Sequence, residues 1–381
     1  MSHQIVLTDS ETLVATLECL SQYIKIKTQG DCDQDCLLKI LVKAASRGDT
    51  IENTINSLKD VPSSNTVRYH LNKLDNFEDL EKSLNSALNS QLIPKIKKTQ
   101  LSLAVDFNLI PYYGEPSAEE LPYIYRGEAK LGTCSFYGYA TLCILNQDKR
   151  FTIAIRAVRK QETIVAILTY LLAELDNYNL QIKKLYLDRG FFTISVIRWL
   201  QALDIPFVMP AIRRGKKGGI NQFLKGKKSY KTTYTMTAKH GNSVTFELAI
   251  ICKYRKGKRK KNGIEYLVYV IHKIYSSLNH IHSSYRKRFG IETSYRVKNI
   301  CRIRTTSKNP VSRLLFVGIS FILVNIWINI LWVKISKPRR GRRLIYQSFF
   351  PLKQMLSFLN RAVEQYFQPI RDIYIPDCSH P

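Results

Sequence analysis

Residues 314–333, LLFVGISFILVNIWINILWV, are apolar except for Ser320, Asn325 and Asn329. Such a run must leave water on nearly every side, because each Å² of apolar surface left wet forfeits about 25 cal/mol. Two arrangements satisfy it. One is a bilayer-spanning helix, with Arg313, Lys334, Lys337, Arg339 and Arg340 as interfacial anchors. The other is a helix buried on most sides, packed against a sheet inside a soluble fold. We expect the second and no membrane partner. A chain of 381 residues, 45% hydrophobic, is long enough for two or three domains and a sizeable core.

Charge narrows the partners. Lys and Arg total 58 against 30 Asp and Glu, a net +28 that repels itself and is best explained by a polyanion. Nucleic acid is the first expectation and an anionic membrane surface the second. The excess concentrates in residues 213–275, where RRGKKGG, KGKKSYK and KYRKGKRKKNG are almost purely positive. Solvated loop tips usually mix signs, so Arg213, Arg214, Lys216 and Lys217 are expected on a DNA backbone. None of these clusters has the G-x-x-x-x-G-K-[ST] spacing of a nucleotide-binding loop, which argues against an ATP-driven motor. The eight cysteines are scattered without a repeating framework and the N-terminus is polar, so reduced thiols and a cytoplasmic, nucleoid-associated location are expected. Cys32 and Cys36 form half a zinc site at most, as no second pair follows at finger spacing.

Taken in order, residues 1–95 carry helical spacing in ETLVATLECLSQYI and CLLKILVKAA. Residues 50–74 then read as a helix-turn-helix, its second helix capped by Asn65 or Thr66 and presenting Arg68, His70 and Lys73. A plain helical bundle reads the same. From residue 97 the texture becomes strand-like, with 101–107, 133–145 and 150–158 rich in β-branched and aromatic residues. A helix at 162–178, a strand at 183–188, a helix at 193–203 and a strand at 206–212 complete an α/β layer. The insertion at 213–275 reads as antiparallel strands, and the end of the chain as a basic, then amphipathic tail that makes a further DNA or dimer contact.

Three carboxylates sit where chemistry is expected. Asp106 ends the apolar run in LSLAVDF, Asp188 ends the strand of IKKLYLDRGFF, and Glu292 lies in 283–304, SSYRKRFGIETSYRVKNICRIR. On a helix Tyr285, Arg288 and Glu292 fall at i, i+3 and i+7 and share a face. Such a face makes sense where the carboxylate holds a cation and the arginine holds a phosphate. Without a His or Cys cluster, these oxygen donors suit Mg²⁺, with Mn²⁺ as substitute. Two such ions about 3.5–4 Å apart clamp the attacking and leaving oxygens of a phosphoryl transfer. Taken singly, each acid has a plainer reading: Asp188 as a turn cap, Glu292 as a surface partner of Arg288 or Arg296.

The order Asp106, Asp188 within YLDRGFF, a basic β insertion, then Glu292 within Y-x-x-R-x-x-x-E resembles insertion-sequence transposases with a DDE catalytic domain. It is most similar to the branch with a β insertion before the glutamate and a YREK signature, over about residues 100–335. The resemblance implies an α/β fold: a ribonuclease-H-like mixed sheet with flanking helices, a β-rich insertion and a helical N-terminal region. The division expected is 1–95 for end binding, 96–336 for catalysis and 337–381 for the basic tail. Asp106, Asp188 and Glu292 would be the catalytic, metal-binding triad, and Tyr285 and Arg288 would meet phosphates near the transposon end. The signature lysine usually falls seven residues past the glutamate, at Asn299 here; Lys298 stands beside it, Arg296 keeps to the active face, and both are expected to bind DNA. Residues 213–275 contain no Trp to stack a flipped base, so a tyrosine would take that part. The partners implied are double-stranded DNA, both ends and target, and a second copy of the chain in the synaptic complex. A catalytically inactive DNA-binding relative and a metal-dependent nuclease without strand transfer remain as alternatives.

Overall fold

The apolar run becomes one helix, Pro310–Val333, and 94% of its most apolar window is buried. The computed structural model describes residues 6–30, 32–93, 96, 99–146, 149–215, 218–239, 241–256, 262–286, 288, 298–339 and 342–372. In chain order these form α1 (Asp9–Tyr23), α2 (Gln34–Arg47), α3 (Ile51–Ile55), α4 (Ser64–Leu71) and α5 (Phe77–Ser90). Strands β1 (Leu101–Pro111), β2 (Ile124–Lys130), β3 (Thr133–Asn146) and β4 (Lys149–Ala157) follow. Then come α6 (Ile164–Asp176), β5 (Ile182–Tyr186), α7 (Ile194–Ala202) and β6 (Phe207–Pro210). The insertion supplies β7 (Tyr230–Thr237), β8 (Ser243–Lys256) and β9 (Asn262–His272). Last are α8 (Leu278–Arg286), α9 (Pro310–Val333), β10 (Ser336–Arg339), β11 (Arg342–Ile345) and α10 (Leu352–Tyr366).

These elements group into two units. One gathers Met1–Leu92, Glu115–Leu121 and Tyr295–Pro381, the other Ile93–Gly114 and Pro122–Ser294. The division therefore departs from three consecutive segments, because α9 packs among the first helices. Gly318 permits this: a Cβ there would stand 2.5 Å from the Leu84 methyls of α5. The polar residues of the apolar run also find their use. Asn325 donates to the Leu88 carbonyl at 3.2 Å and Asn329 to that of Gln91 at 2.8 Å, satisfying groups at the end of α5 that lack a helical partner. Ser320 bonds back to Val317 within its own helix.

The amphipathic tail is likewise consumed internally. Leu352, Met355, Leu356, Leu359, Ala362 and Val363 of α10 are buried, and Arg361 forks onto Asp9 of α1 at 2.7 and 2.9 Å. Lys43, itself buried, reaches Glu364 at 2.6 Å and Asn360 at 3.1 Å. The apolar face of this amphipathic segment thus packs within the chain. In the helix-turn-helix region Ser63, not Asn65 or Thr66, caps α4, because its hydroxyl reaches the Thr66 amide. Arg68 stays exposed and pairs with Glu52 at 2.5 Å, whereas His70 is buried and presents nothing.

The second unit holds a nine-stranded mixed sheet in the order β2-β3-β1-β5-β6-β9-β8-β7, with β4 also on β3. β2 and β4 share one edge of the long β3, along its first and second halves. β1, β5 and β6 run parallel through the centre, and the insertion continues the same sheet by pairing β9 antiparallel to β6. The α/β class expected from sequence is present, as a mixed sheet with helices. β2 escaped the pattern reading because IYRGEAK is polar and lies mostly exposed.

Replacing Asn325 by Ala should lower unfolding free energy by about 1–3 kcal/mol, the cost of stranding a buried carbonyl. Urea denaturation with an unchanged m-value checks it, and a loss under about 0.5 kcal/mol contradicts the assigned bond.

Candidate active site

The site begins with a register. β1 and β5 pair Leu103 with Leu185 and Ala104 with Tyr186 in parallel. Two residues past that last pair stand Asp106, still in β1, and Asp188, just beyond β5 in extended backbone, so that continuing the alternation puts both at one level and on one face. Asp106 lies inside β1 and not at its end, because the strand runs on to Pro111 against β3. Asp188 opens the turn Arg189–Phe191, its carboxylate accepting the Arg189 amide at 2.7 Å. The rings of Phe107 and Phe191 stack 5.0 Å apart beside the two acids.

Helix α8 delivers the third component. Tyr285 donates its hydroxyl to the Leu187 carbonyl at 3.1 Å and packs on Tyr186 and Tyr269, pinning this helix next to Asp188. Burial pushes the Tyr285 phenol well above its ordinary value, so it stays a donor. The expectation of a Tyr285 phosphate contact gives way to an anchoring role in this arrangement. One turn on, Arg288 bridges the acids, with Nη2 3.2 Å from Asp106 Oδ1 and Nη1 3.6 Å from Asp188 Oδ1. The Arg288 side chain is 4% exposed, that of Asp106 13% and that of Asp188 43%.

Beside them opens a cavity of about 1110 Å³, lined by Asp188, Arg189, Arg213, Lys253, Arg286 and Arg288 among others. Its wall also holds a pair that sequence reasoning missed: the Tyr269 hydroxyl and His282 Nδ1, 2.9 Å apart. Burial raises the Tyr269 phenol to about 12, and burial with Lys253 and Arg286 lowers the His282 imidazolium below its usual range. His282 sits one helical turn before Tyr285, so continuing the i, i+3 face backwards would have found it. Arg189 was in view but read only as part of a turn.

The structure thus brings together Asp106, Asp188, Tyr285, Arg288 and Arg213, with Arg214 exposed beside Arg213. Glu292, Arg296, Lys216 and Lys217 lie outside the described residues. Among the described residues no three His, Cys, Asp or Glu side chains form a metal-holding group.

A family model described as a transposase DDE domain matches residues 98–326, more than half of the chain. The chain belongs to the DDE transposase family. Among solved structures, a piggyBac transposase imaged by cryo-EM in a synaptic complex with hairpin DNA matches with a TM-score of 0.54. The match covers 94% of this chain and 77% of that one at 13% identity, a likeness of fold. No curated protein matches.

The lysine beside the signature position departs from its expected DNA-facing role in this DDE transposase. Lys298 is fully buried in the helical unit, its ammonium 5.2 Å from the Phe321 ring and without a hydrogen-bond partner among the described residues. Burial, with Arg302 adding to it, lowers it to about 7. A side chain so enclosed is not presented to a phosphate, and the expected Lys298–DNA contact is corrected accordingly. The consequence for stability has a definite sign. Above about 7 the folded lysine is neutral while the unfolded one, near 10.4, is still protonated, so unfolding takes up a proton and stability rises with pH across that interval. The wild type should gain up to about 1.4 kcal/mol per pH unit from this group between pH 7 and 9. Lys298→Met should be more stable than wild type at pH 7 and lack that rise; parallel pH profiles of the two proteins contradict the assignment.

Proposed function

We propose that the chain is a catalytically active DNA transposase that binds transposon ends, cleaves phosphodiester bonds and joins the freed 3′-hydroxyls to target DNA. The observation that carries the reading is the alignment of Asp106 and Asp188 on adjacent parallel strands, converging on one guanidinium at the edge of a basic cavity. Two carboxylates so placed are an oxygen-donor set that fits Mg²⁺ or Mn²⁺. Asp106 and Asp188 would hold the ions, with Glu292 as the third donor. When bound, a pair of such ions supplies charge stabilisation to the attacking and departing oxygens.

The protein's own groups account for the rest. Arg213, Arg214 and Arg189 draw the backbone into the cavity by charge, as would Lys216, Lys217 and Arg296. Arg288 offers a planar fork that matches phosphate oxygens. Tyr285 holds helix α8 beside the end of β5 through the Leu187 carbonyl, and Arg288 meets the aspartates. The fold neighbour was captured with hairpin DNA in a synaptic complex, which supports double-stranded DNA as substrate and a homodimer holding two ends together.

Asp188→Asn should lower Mg²⁺-dependent nicking of a duplex carrying the element ends by about a thousandfold, the rate equivalent of roughly 4 kcal/mol. End binding in a gel shift should persist. Cleavage at wild-type rate would sink the metal-ligand assignment, and nicking without joined target product would favour a nuclease. For the cavity, Arg213→Ala should weaken binding about equally for all duplex sequences and reduce the slope of log affinity against log salt by about 1. An unchanged slope in fluorescence anisotropy places the backbone elsewhere.

A further inference from the structure

Arg288 occupies the position from which a cation reaches both aspartates. Its two terminal nitrogens address Asp106 Oδ1 at 3.2 Å and Asp188 Oδ1 at 3.6 Å, almost wholly shielded from water. A guanidinium stays protonated at any working pH, so this positive charge is not relieved by titration. A divalent ion on the same oxygens would stand against it, like charge facing like charge, with screening weakest on the buried side of Asp106. The two cations are therefore alternatives.

The surroundings say where the guanidinium goes when displaced. Tyr285, one turn earlier, is fixed by its bond to Leu187 and by the rings of Tyr186 and Tyr269, so the helix itself is held. The flexible part is the arginine side chain. Arg288 also lines the cavity, whose wall carries Arg189, Arg213, Lys253 and Arg286 and is suited to a phosphodiester. A phosphate arriving there competes with the aspartates for the fork, and Arg–phosphate pairs are among the strongest charge-assisted bonds available.

We propose that Arg288 is a gate on the aspartate pair: without DNA it neutralises Asp106 and Asp188 and excludes divalent ions, and a bound DNA phosphate draws it off and admits them. Metal loading then follows DNA binding, which keeps the free protein from activating water away from its substrate. This inference rests on the transposase reading of the same site. Linkage makes it reciprocal: whatever factor DNA adds to metal affinity, metal adds to DNA affinity.

The test is equilibrium binding of Mn²⁺, followed by the electron paramagnetic resonance signal of the free ion. The full-length protein is titrated with and without a short DNA duplex, and the DNA-alone signal is subtracted. Wild type should bind Mn²⁺ weakly alone and about 5- to 150-fold more tightly with DNA, the usual range of such couplings. Arg288→Gln should bind tightly without DNA and gain little on its addition. Arg288→Lys keeps the charge but not the fork; it should fall between the two and serves if the glutamine variant fails to fold. Equal Mn²⁺ affinity of DNA-free wild type and both variants overturns the gate while leaving the metal site standing. No Mn²⁺ bound by any of the proteins, even with DNA, overturns the gate and the metal-site reading together.

Discussion

The parallel pairing of β1 with β5 is the constraint on which the rest depends. It sets Asp106 level with Asp188, and a slip of one residue would turn one of the two carboxylates to the opposite face of the sheet. Parallel neighbours require a crossover between them, and here β2, β3, β4 and α6 fill that interval. The pairing is central, with β3 on one side and β6 on the other, so the strands cannot shift without breaking the sheet on both flanks. The insertion adds β9, β8 and β7 outside β6. It lengthens the sheet without disturbing the register that matters, and it brings Lys253, Glu265 and Tyr269 to the cavity wall.

Charge is handled differently in the two units. Around the cavity the cations face a space large enough for a polyanion, and among the described residues Arg189 and Arg213 make no ion pair within 4 Å. In the helical unit cations are spent on structure, as in Lys43 with Glu364, Arg361 with Asp9 and Arg68 with Glu52. The net +28 is thus not a uniform coat. Where acids are scarce, an arginine left without one is informative; where an acid stands opposite it, the pair is packing.

Much of the sheet unit was readable from sequence, because most of its strands are apolar runs bounded by turns and its two acids directly follow such runs. Asp106 and Asp188 were found for that reason, and the β insertion for its alternation. The placement of α9 was not readable. Periodicity reports that all faces of 314–333 are apolar, but it does not distinguish a sheet from a helix as the covering surface. The decisive signals were small: Gly318, which admits Leu84, and two asparagines at the spacing needed to reach the last carbonyls of α5. The helix expected through 283–304 agrees with the structure up to Arg286, while residues 302–309 are irregular. There Asn309 begins the cap of α9 by accepting the Val311 and Ser312 amides. Tyr285 and Lys298 were assigned surface roles because sequence spacing gives direction on a helix and says nothing of depth.

Depth changes what a motif residue does. Tyr285 and Arg288 lie one turn apart and both are buried, yet their terminal groups meet different partners, a backbone carbonyl and a carboxylate pair. A neutral phenol satisfied by a carbonyl has no reason to move, since leaving would strand a buried acceptor. A guanidinium between two carboxylates is held chiefly by charge, and on the proposed exchange a stronger arrangement of charge displaces it. The same short segment therefore combines a fixed point with a mobile one. That combination lets a site hold its geometry through the exchange of one cation for another.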